Sequence, residues 1–385
     1  MEDLNKTEFG RLVRAYREQR GWTQEQLAES WGYSREYISQ IEHGRRKVER
    51  LDQISKLADI LQIPDERLRD IGKLPPASIA RTVAEADDVI LQTLLEPAIA
   101  TVKLSWLVWF ADQNTTVLRG LEDLIAKLEQ ALSLYRGPLV KNAQQVLAYA
   151  YEMKGKVSFD RLLYADAMRY FSEMQQLGEE LHDSTITALA MIHQGDLLRK
   201  RGRYETGVRY LEGARPFADA APIYVNGLRW NILARAHAAY GQEKDFLVAT
   251  EKAEEIVESV QEDLDALSNQ FNRLEVLQER AQGYTMLWQP EKALAIYQQT
   301  DTLKPFRPLR ELGSYTIVKA QAHAYSGNVE EGVQLARNGI ELAKMYHSKR
   351  HISRLQGMYE RLSVTPLGKH RLLRDLREEL VLALQ

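Results

Sequence analysis

Apolar residues recur every three to four positions along nearly the whole chain, the period of a helix that buries one face, and apolar–polar alternation bounded by turn residues is hard to find. After residue 78 the chain is dominated by Ala, Leu, Glu, Gln, Lys and Arg, which give up little on entering a helix. The pattern predicts an all-α fold. Near the N-terminus Phe9, Leu12, Val13 and Tyr16 form one apolar stripe, and Leu51, Ile54, Leu57, Ala58 and Leu61 form another. Between them, residues 23–44 read as two short helices joined at Gly32. Thr23 caps the first, Gln26 completes a capping box, and Leu27 and Ala28 face inward. Ser34 caps the second, where Ile38 and Ile41 mark the buried side. Pro64 is expected to start a fifth short helix.

Two short helices around a glycine, the second with a polar outer face, make a helix-turn-helix pattern, and that pattern points to double-stranded DNA. Arg35, Glu36, Ser39 and Gln40 lie on or near the side that could meet base edges; Arg suits guanine, and Ser or Gln can reach other bases. The segment resembles the Cro/lambda-repressor-like, or XRE, family through Gln24, the Leu27-Ala28 pair, Gly32-x-Ser34 and the run from Tyr37 to Gly44. Tyr33 departs from it, because the family usually carries Val or Ile there. The resemblance implies a five-helix domain over residues 5 to 72 and DNA contacts from Gln24, Ser34, Arg35, Glu36, Tyr37, Ser39, Gln40, Arg45, Arg46 and Lys47. A small helical bundle without DNA affinity can show the same pattern. Charge alone does not decide, since residues 1–73 hold 14 Lys and Arg against 14 Asp and Glu. Its distribution says more. Residues 11–50 carry nine basic and six acidic side chains, and Arg45, Arg46 and Lys47 follow the second helix where a phosphate backbone would run. A solvated loop is the plainer account of that cluster.

The chain has 385 residues, 44% of them hydrophobic, and a formal net charge of −3, so any DNA-binding surface must be local. Cysteine is absent, which excludes disulfides, thiolate metal ligands and a cysteine nucleophile. The polar, acidic start and the lack of a long apolar run lead to the expectation of a soluble cytoplasmic protein with no membrane partner. No phosphate loop, dinucleotide fingerprint, nucleophile elbow or HExxH motif occurs, so no enzyme activity and no cofactor are expected. His347 and His351 stand four apart, but Ser348, Lys349 and Arg350 lie between them, and no metal site is expected.

Beyond residue 73 a linker is expected over 74–83, on the breakers around Pro75-Pro76, followed by a connector or degenerate repeat over 84–136. Its Trp106, Trp109 and Phe110 are expected to pack in a core, or to form a dimer helix. Residues 137–348 then repeat one unit, a helix ending in a turn and a second helix bearing Ala and aromatic residues. Taking Gly155, Gly202, Gly241, Trp288 and Gly327 as the turns gives spacings of 47, 39, 47 and 39. A small residue stands seven before each: Ala148, Gly195, Ala234, Ala281 and Ala320. In the second helix, Ala293 and Tyr297 take the small and aromatic positions. These units resemble tetratricopeptide repeats, though they exceed the usual length and lack the usual Pro. The resemblance implies an α-solenoid whose first helices line a concave groove. In that register the inward positions are Asn142, Gln145, Tyr149 and Glu152, then Ile192, Asp196 and Arg199, then Asn231 and Arg235, Gln278, Gln282 and Thr285, and Ile317 and Gln321. The carboxamides can donate to and accept from a peptide unit at once, and Arg235 suits a carboxylate. Neither Asn231 nor Arg235 is expected to be needed for folding. Residues 349–385 are expected to cap the solenoid.

A Cro-like domain joined to such a solenoid resembles the Gram-positive quorum-sensing receptors of the Rgg, NprR, PlcR and PrgX group. That resemblance implies a homodimeric transcription regulator whose repeats receive a short signalling peptide. An interaction scaffold that grips another protein is the alternative.

Overall fold

The computed structural model describes the backbone of residues 2–48, 50–74, 77–111, 115–260, 271–303 and 307–384, and their side chains except at 2–7, 51, 52, 77–88, 110, 111, 115–118 and 384. The described residues are helical or in turns, and none is in a strand. The chain divides into two compact units, Met1–Val89 and Ile90–Gln385.

In the first unit α1 (Glu2–Gln19), α2 (Gln24–Trp31), α3 (Arg35–Glu42), α4 (Leu51–Leu61) and α5 (Asp65–Asp70) enclose one core. Phe9, Val13, Leu27, Ile38, Ile41, Ile54, Leu57 and Leu61 fill it, in agreement with the two stripes and the inward faces of the helix pair. Leu51, expected in the second stripe, lies outside the described side chains. The absence of a side chain at Gly10 lets α1 cross α3, because a Cβ there would overlap the carbonyl oxygens of Ile41 and Glu42. Pro64 stands one residue before α5, as its N-cap, so its fixed φ sets the entry to the helix from outside.

The expected linker over 74–83 needs correction. Residues 77–83 are the opening turns of α6 (Ala77–Ala111). The breakers lie at 75 and 76, outside the described residues, and the sequence after them carries no further Pro or Gly until Pro97, so a helix can start at once.

In the second unit helices pack as antiparallel pairs. After α7 (Thr115–Leu134) come α8 (Val140–Asp160) with α9 (Tyr164–Leu181), α10 (Ser184–Lys200) with α11 (Tyr204–Gly213) and the short α12 (Arg215–Ala220), and α13 (Ile223–Tyr240) with α14 (Glu243–Val257). Then follow α15 (Arg273–Met286) with α16 (Pro290–Leu303), α17 (Leu309–Tyr325) with α18 (Val329–Met345), and α19 (Lys349–Ser363), whose 3-10 turn leads into α20 (Arg371–Leu384). This is a helical solenoid. Trp106 and Trp109 are buried in its first core cluster, where core packing was expected; Phe110 lies outside the described side chains. Leu373, Leu376 and Leu380 of α20 join the last cluster against α18 and α19.

The repeat is visible in the backbone. Leu162, Gly202, Gly241, Trp288 and Gly327 each adopt positive φ between the helices of a pair. At each, the next amide donates to a carbonyl five residues back: Leu163 to Ser158 at 2.9 Å, Arg203 to Leu198 at 3.0 Å, Gln242 to His237 at 2.9 Å, Gln289 to Tyr284 at 2.9 Å and Asn328 to His323 at 3.0 Å. This is the Schellman closure of a helix end.

The first turn is therefore Leu162, not Gly155. Gly155 lies inside α8, where its missing Cβ makes room for the Phe171 ring of α9. It is the small residue seven before the true turn, equivalent to Gly195, Ala234, Ala281 and Ala320, and the spacings become 40, 39, 47 and 39. A glycine was mistaken for a turn because in this repeat a leucine accepts the left-handed conformation and the glycine serves helix contact.

Candidate functional site

In the first unit, the α2–α3 pair is built as its sequence demands. Thr23 Oγ1 accepts from the Gln26 amide at 3.2 Å, Gln26 Oε1 accepts from the Thr23 amide at 2.8 Å, and Gly32 turns the chain at φ 80°. Ser34 Oγ accepts from the Tyr37 amide at 3.2 Å, so its hydroxyl is already engaged as the α3 cap. Arg35, Glu36 and Gln40 are exposed on one side of α3, with Ser39 half-buried beside them and Ile38 and Ile41 beneath. Arg45 and Arg46 are exposed in the following turn and Lys47 is half-buried.

Two relationships here were not legible in the sequence. The Tyr33 ring stacks on Tyr37 at 4.6 Å and touches Trp31 at 4.5 Å, and the Arg46 guanidinium lies 4.8 Å from the Tyr37 ring. The residue that departs from the family pattern thus joins an aromatic stack that steadies the basic turn. Below it, Arg17 donates to both carboxylate oxygens of buried Glu42, at 2.5 and 3.0 Å, and Gln24 Nε2 donates to Glu42 Oε2 at 2.7 Å. The amide of Gln24 is therefore anchored inward. Its place at the start of α2 is fixed by α3, not left to solvent.

In the second unit, the first helices of the pairs line a chamber of about 480 Å³. Of the positions expected to face inward, Asp196, Arg199, Asn231, Arg235, Gln282 and Gln321 line it, and so do Ile192 and Thr285. Gln278 lines an adjoining recess of about 220 Å³. Asn142, Gln145 and Tyr149 line neither, and the register of Asn142 and Gln145 was counted from Gly155. Gln145 instead reaches Asp183 at 3.2 Å. Counted from Leu162, the equivalent positions are Tyr149, which still lies off the lining, then Glu152, Lys156 and Phe159. Lys156 and Phe159 line the chamber. Glu152, fully buried, holds His193 at 2.7 Å.

Asp196 is the hub of the wall. Arg199 Nη2 lies 2.7 Å from it, Lys200 Nζ 2.8 Å and Arg235 Nη2 2.9 Å. Burial opposes its charge, yet Arg235, Lys200 and Arg199 outweigh that cost and hold its carboxyl well below the usual range. Arg235 Nη1 also donates to Glu279 Oε1 at 2.5 Å, so this guanidinium bridges α10 and α15. Both its ends are committed to the protein.

Asn231 and Gln282 differ. They are 3% and 8% exposed, both line the chamber, and neither carboxamide hydrogen-bonds to another described residue. Their polar atoms open onto the chamber instead of being sealed in dry protein, so an incoming group can reach them without displacing a protein partner. Two carboxamides facing one cavity can take a partner that donates and accepts, as a peptide unit does.

His351 is buried and shares a hydrogen bond with the Tyr346 hydroxyl at 2.7 Å, while His347 makes a left-handed turn. No described helix is long and apolar enough to cross a membrane.

With this geometry in view, comparison with known proteins defines the N-terminal class. Residues 8–71 match the family described as a helix-turn-helix domain. Within the same class, the chain is 48% identical over 60 residues to the HTH-type transcriptional repressor RghR of Bacillus subtilis (strain 168). That match covers 16% of this chain and spans 44% of the relative. Among solved structures, Bacillus thuringiensis PlcR in complex with the peptide PapR7 and DNA is similar at 13% identity and a TM-score of 0.40, over 91% of this chain and 99% of that one.

Proposed function

We propose that the chain is a DNA-binding transcription regulator whose solenoid chamber binds a short peptide, and that peptide binding changes its affinity for an operator. The DNA half of this reading is supported by the helix-turn-helix match and by an α3 face of Arg35, Glu36, Ser39 and Gln40 beside the basic turn. The peptide half rests on one observation, the buried, unpartnered carboxamides of Asn231 and Gln282 in a chamber whose volume suits a few residues of ligand. Two copies are expected to act together, because one such domain reads few base pairs. Supporting the pairing, α6 leaves Leu104 and Leu107 exposed.

The test is to capture peptides from a pooled synthetic heptapeptide library on the full chain, then to measure operator affinity with and without those retained. A peptide that binds must shift operator affinity, and operator DNA must shift peptide affinity by the same factor. Retention of peptides with no effect on DNA favours a scaffold, and no retention overturns the peptide reading.

A further inference from the structure

The chamber is not electrically balanced. Seven lysines and arginines line it against three carboxylates, Asp196, Glu275 and Glu279. Most of the cations are answered. Asp196 takes Arg199, Lys200 and Arg235, Glu279 takes Arg235 as well, and Arg350 Nε donates to Asp160 at 3.0 Å. Lys156 lies in the field of Glu152 and Glu275, and the remaining surplus is on α19, where Arg354 and Arg361 stand seven residues apart, two helical turns, and so on one face.

Neither has a described carboxylate within 4.0 Å. Arg354 donates its Nε to the Gln321 carboxamide at 3.1 Å, and its Nη2 is buried without a partner. Arg361 is exposed at the rim, beside the Tyr325 hydroxyl. Gly357 lies between them on the lining, and a Cβ there would meet nothing within 4 Å, so the floor between the two guanidiniums is open. Burial, with help from Arg350 and Arg235 and against Tyr297 and Glu279, pulls Arg354 down to about 10, as expected of a cation that lacks its counter-charge.

We infer that the ligand of the chamber is anionic and that Arg354 and Arg361 hold its carboxylate, while Asn231 and Gln282 take its peptide units. Guanidinium forks match a carboxylate in two parallel hydrogen bonds, and an incoming anion would satisfy the orphaned Nη2. The carboxylate can belong to a chain terminus or to an Asp or Glu side chain. This inference rests on the peptide reading of the chamber.

The experiment uses the full chain and random heptapeptide pools made in two forms, free acid and C-terminal amide, with retained peptides identified by mass spectrometry. Wild type should enrich carboxylate-bearing peptides by about tenfold or more over neutral amidated ones. Preference for free acids regardless of sequence assigns the terminus; preference for Asp or Glu in both pools assigns a side chain. The double variant R354Q/R361Q should lose that enrichment yet still retain peptides, whereas N231A should lose retention of both pools. An unchanged preference in R354Q/R361Q, or none in wild type, overturns the inference while leaving the peptide reading intact. If wild type retains no peptide, the peptide reading fails, and thermal melting in millimolar inorganic phosphate decides the cradle: a rise in Tm lost in R354Q/R361Q supports it, and equal melting of the two proteins overturns it.

Discussion

Asp160 at the end of α8 and Arg310 near the start of α17 form a buried ion pair at 2.8 Å, across 150 residues of sequence. Arg350 Nε and Ser348 Oγ of the α19 region share the same carboxylate at 3.0 and 2.8 Å. Arg310 also donates to the carbonyls of Trp109 and Tyr346 and lies 3.7 Å from the Trp109 ring. One aspartate thus ties the first repeat to the last two, and the groove of an open solenoid becomes a chamber.

Asp160→Asn should therefore cost roughly 3–5 kcal/mol, because it leaves buried Arg310, and with it the half-buried Arg350, without their counter-charge. Burial raises the Asp160 carboxyl, but Arg350 and Arg310 bring it down to about 2, below its ordinary 3.8. The sign follows: this stabilisation is complete above about pH 4 and is lost as pH falls toward 2. Urea titrations at pH 7 and pH 2.5 should show a large gap between wild type and D160N that narrows in acid. Equal stability at pH 7 would sink the clasp.

On the DNA side, Arg35→Ala should cost roughly 1–3 kcal/mol and relax preference at one base pair, if Arg35 pairs with guanine. Lys47→Ala should weaken binding to all sequences and lower the salt slope by about one unit. Competition binding over a range of salt separates the two. A variant of Arg35 with intact sequence preference would show that another face of α3 reads the bases.

Much of this was legible in the sequence, for physical reasons that differ by region. In the first unit, caps and apolar spacing are local, so Thr23, Gln26, Ser34, Ile38 and Ile41 could be placed from neighbours alone. The inward register of the later repeats was legible because their turns at Gly202, Gly241, Trp288 and Gly327 were placed correctly, although Ile317, expected to face inward, packs in the last core cluster. It failed in the first repeat, where Leu162 makes the turn and Gly155 serves a helix contact. The groove's charge pairing was hidden, because it depends on which helices meet. Nothing local marks Asp160 as the partner of Arg310, or commits Arg235 to Asp196 and Glu279.

That commitment separates two residues expected to behave alike. Asn231→Ala removes a carboxamide with no described partner, so stability and ligand-free operator binding should stay near wild type while the response to a retained peptide disappears. Arg235→Ala leaves Glu279 without its cation in the chamber wall and takes one of three from Asp196, and should be destabilising by roughly 3 kcal/mol, contrary to the sequence expectation that folding would not need it. Thermal melting with a reporter assay decides. An Arg235→Ala protein as stable as wild type would show the bridge to be weak.

Self-association is testable at Leu104 and Leu107. Leu107 is 69% exposed, and apolar side chains grouped on a helix face are suited to a second copy. Light scattering at micromolar concentration should find a dimer that L104E/L107E converts to monomer with unchanged circular dichroism. A wild-type monomer would remove this part of the reading.

Glu275 gives the chamber a dependence on pH. Burial, then the neighbouring Glu279, pushes its carboxyl up to about 8 against the pull of Lys156, from an ordinary value of 4.5. Between those two values the folded protein holds a proton that the unfolded chain has released, so stability falls as pH rises from about 4.5 to about 8. Glu275→Gln keeps the shape and abolishes the titration. Near pH 5 the variant and wild type should therefore be similar in stability, and toward pH 8.5 the variant should become the more stable. His193 and His351, both pulled down by burial first, titrate in the two proteins alike and cancel in the difference. Chemical denaturation of both proteins across this range reads the difference directly. A difference that stays constant from pH 5 to 8.5 would mean that Glu275 is charged throughout, with Lys156 as a full counter-ion.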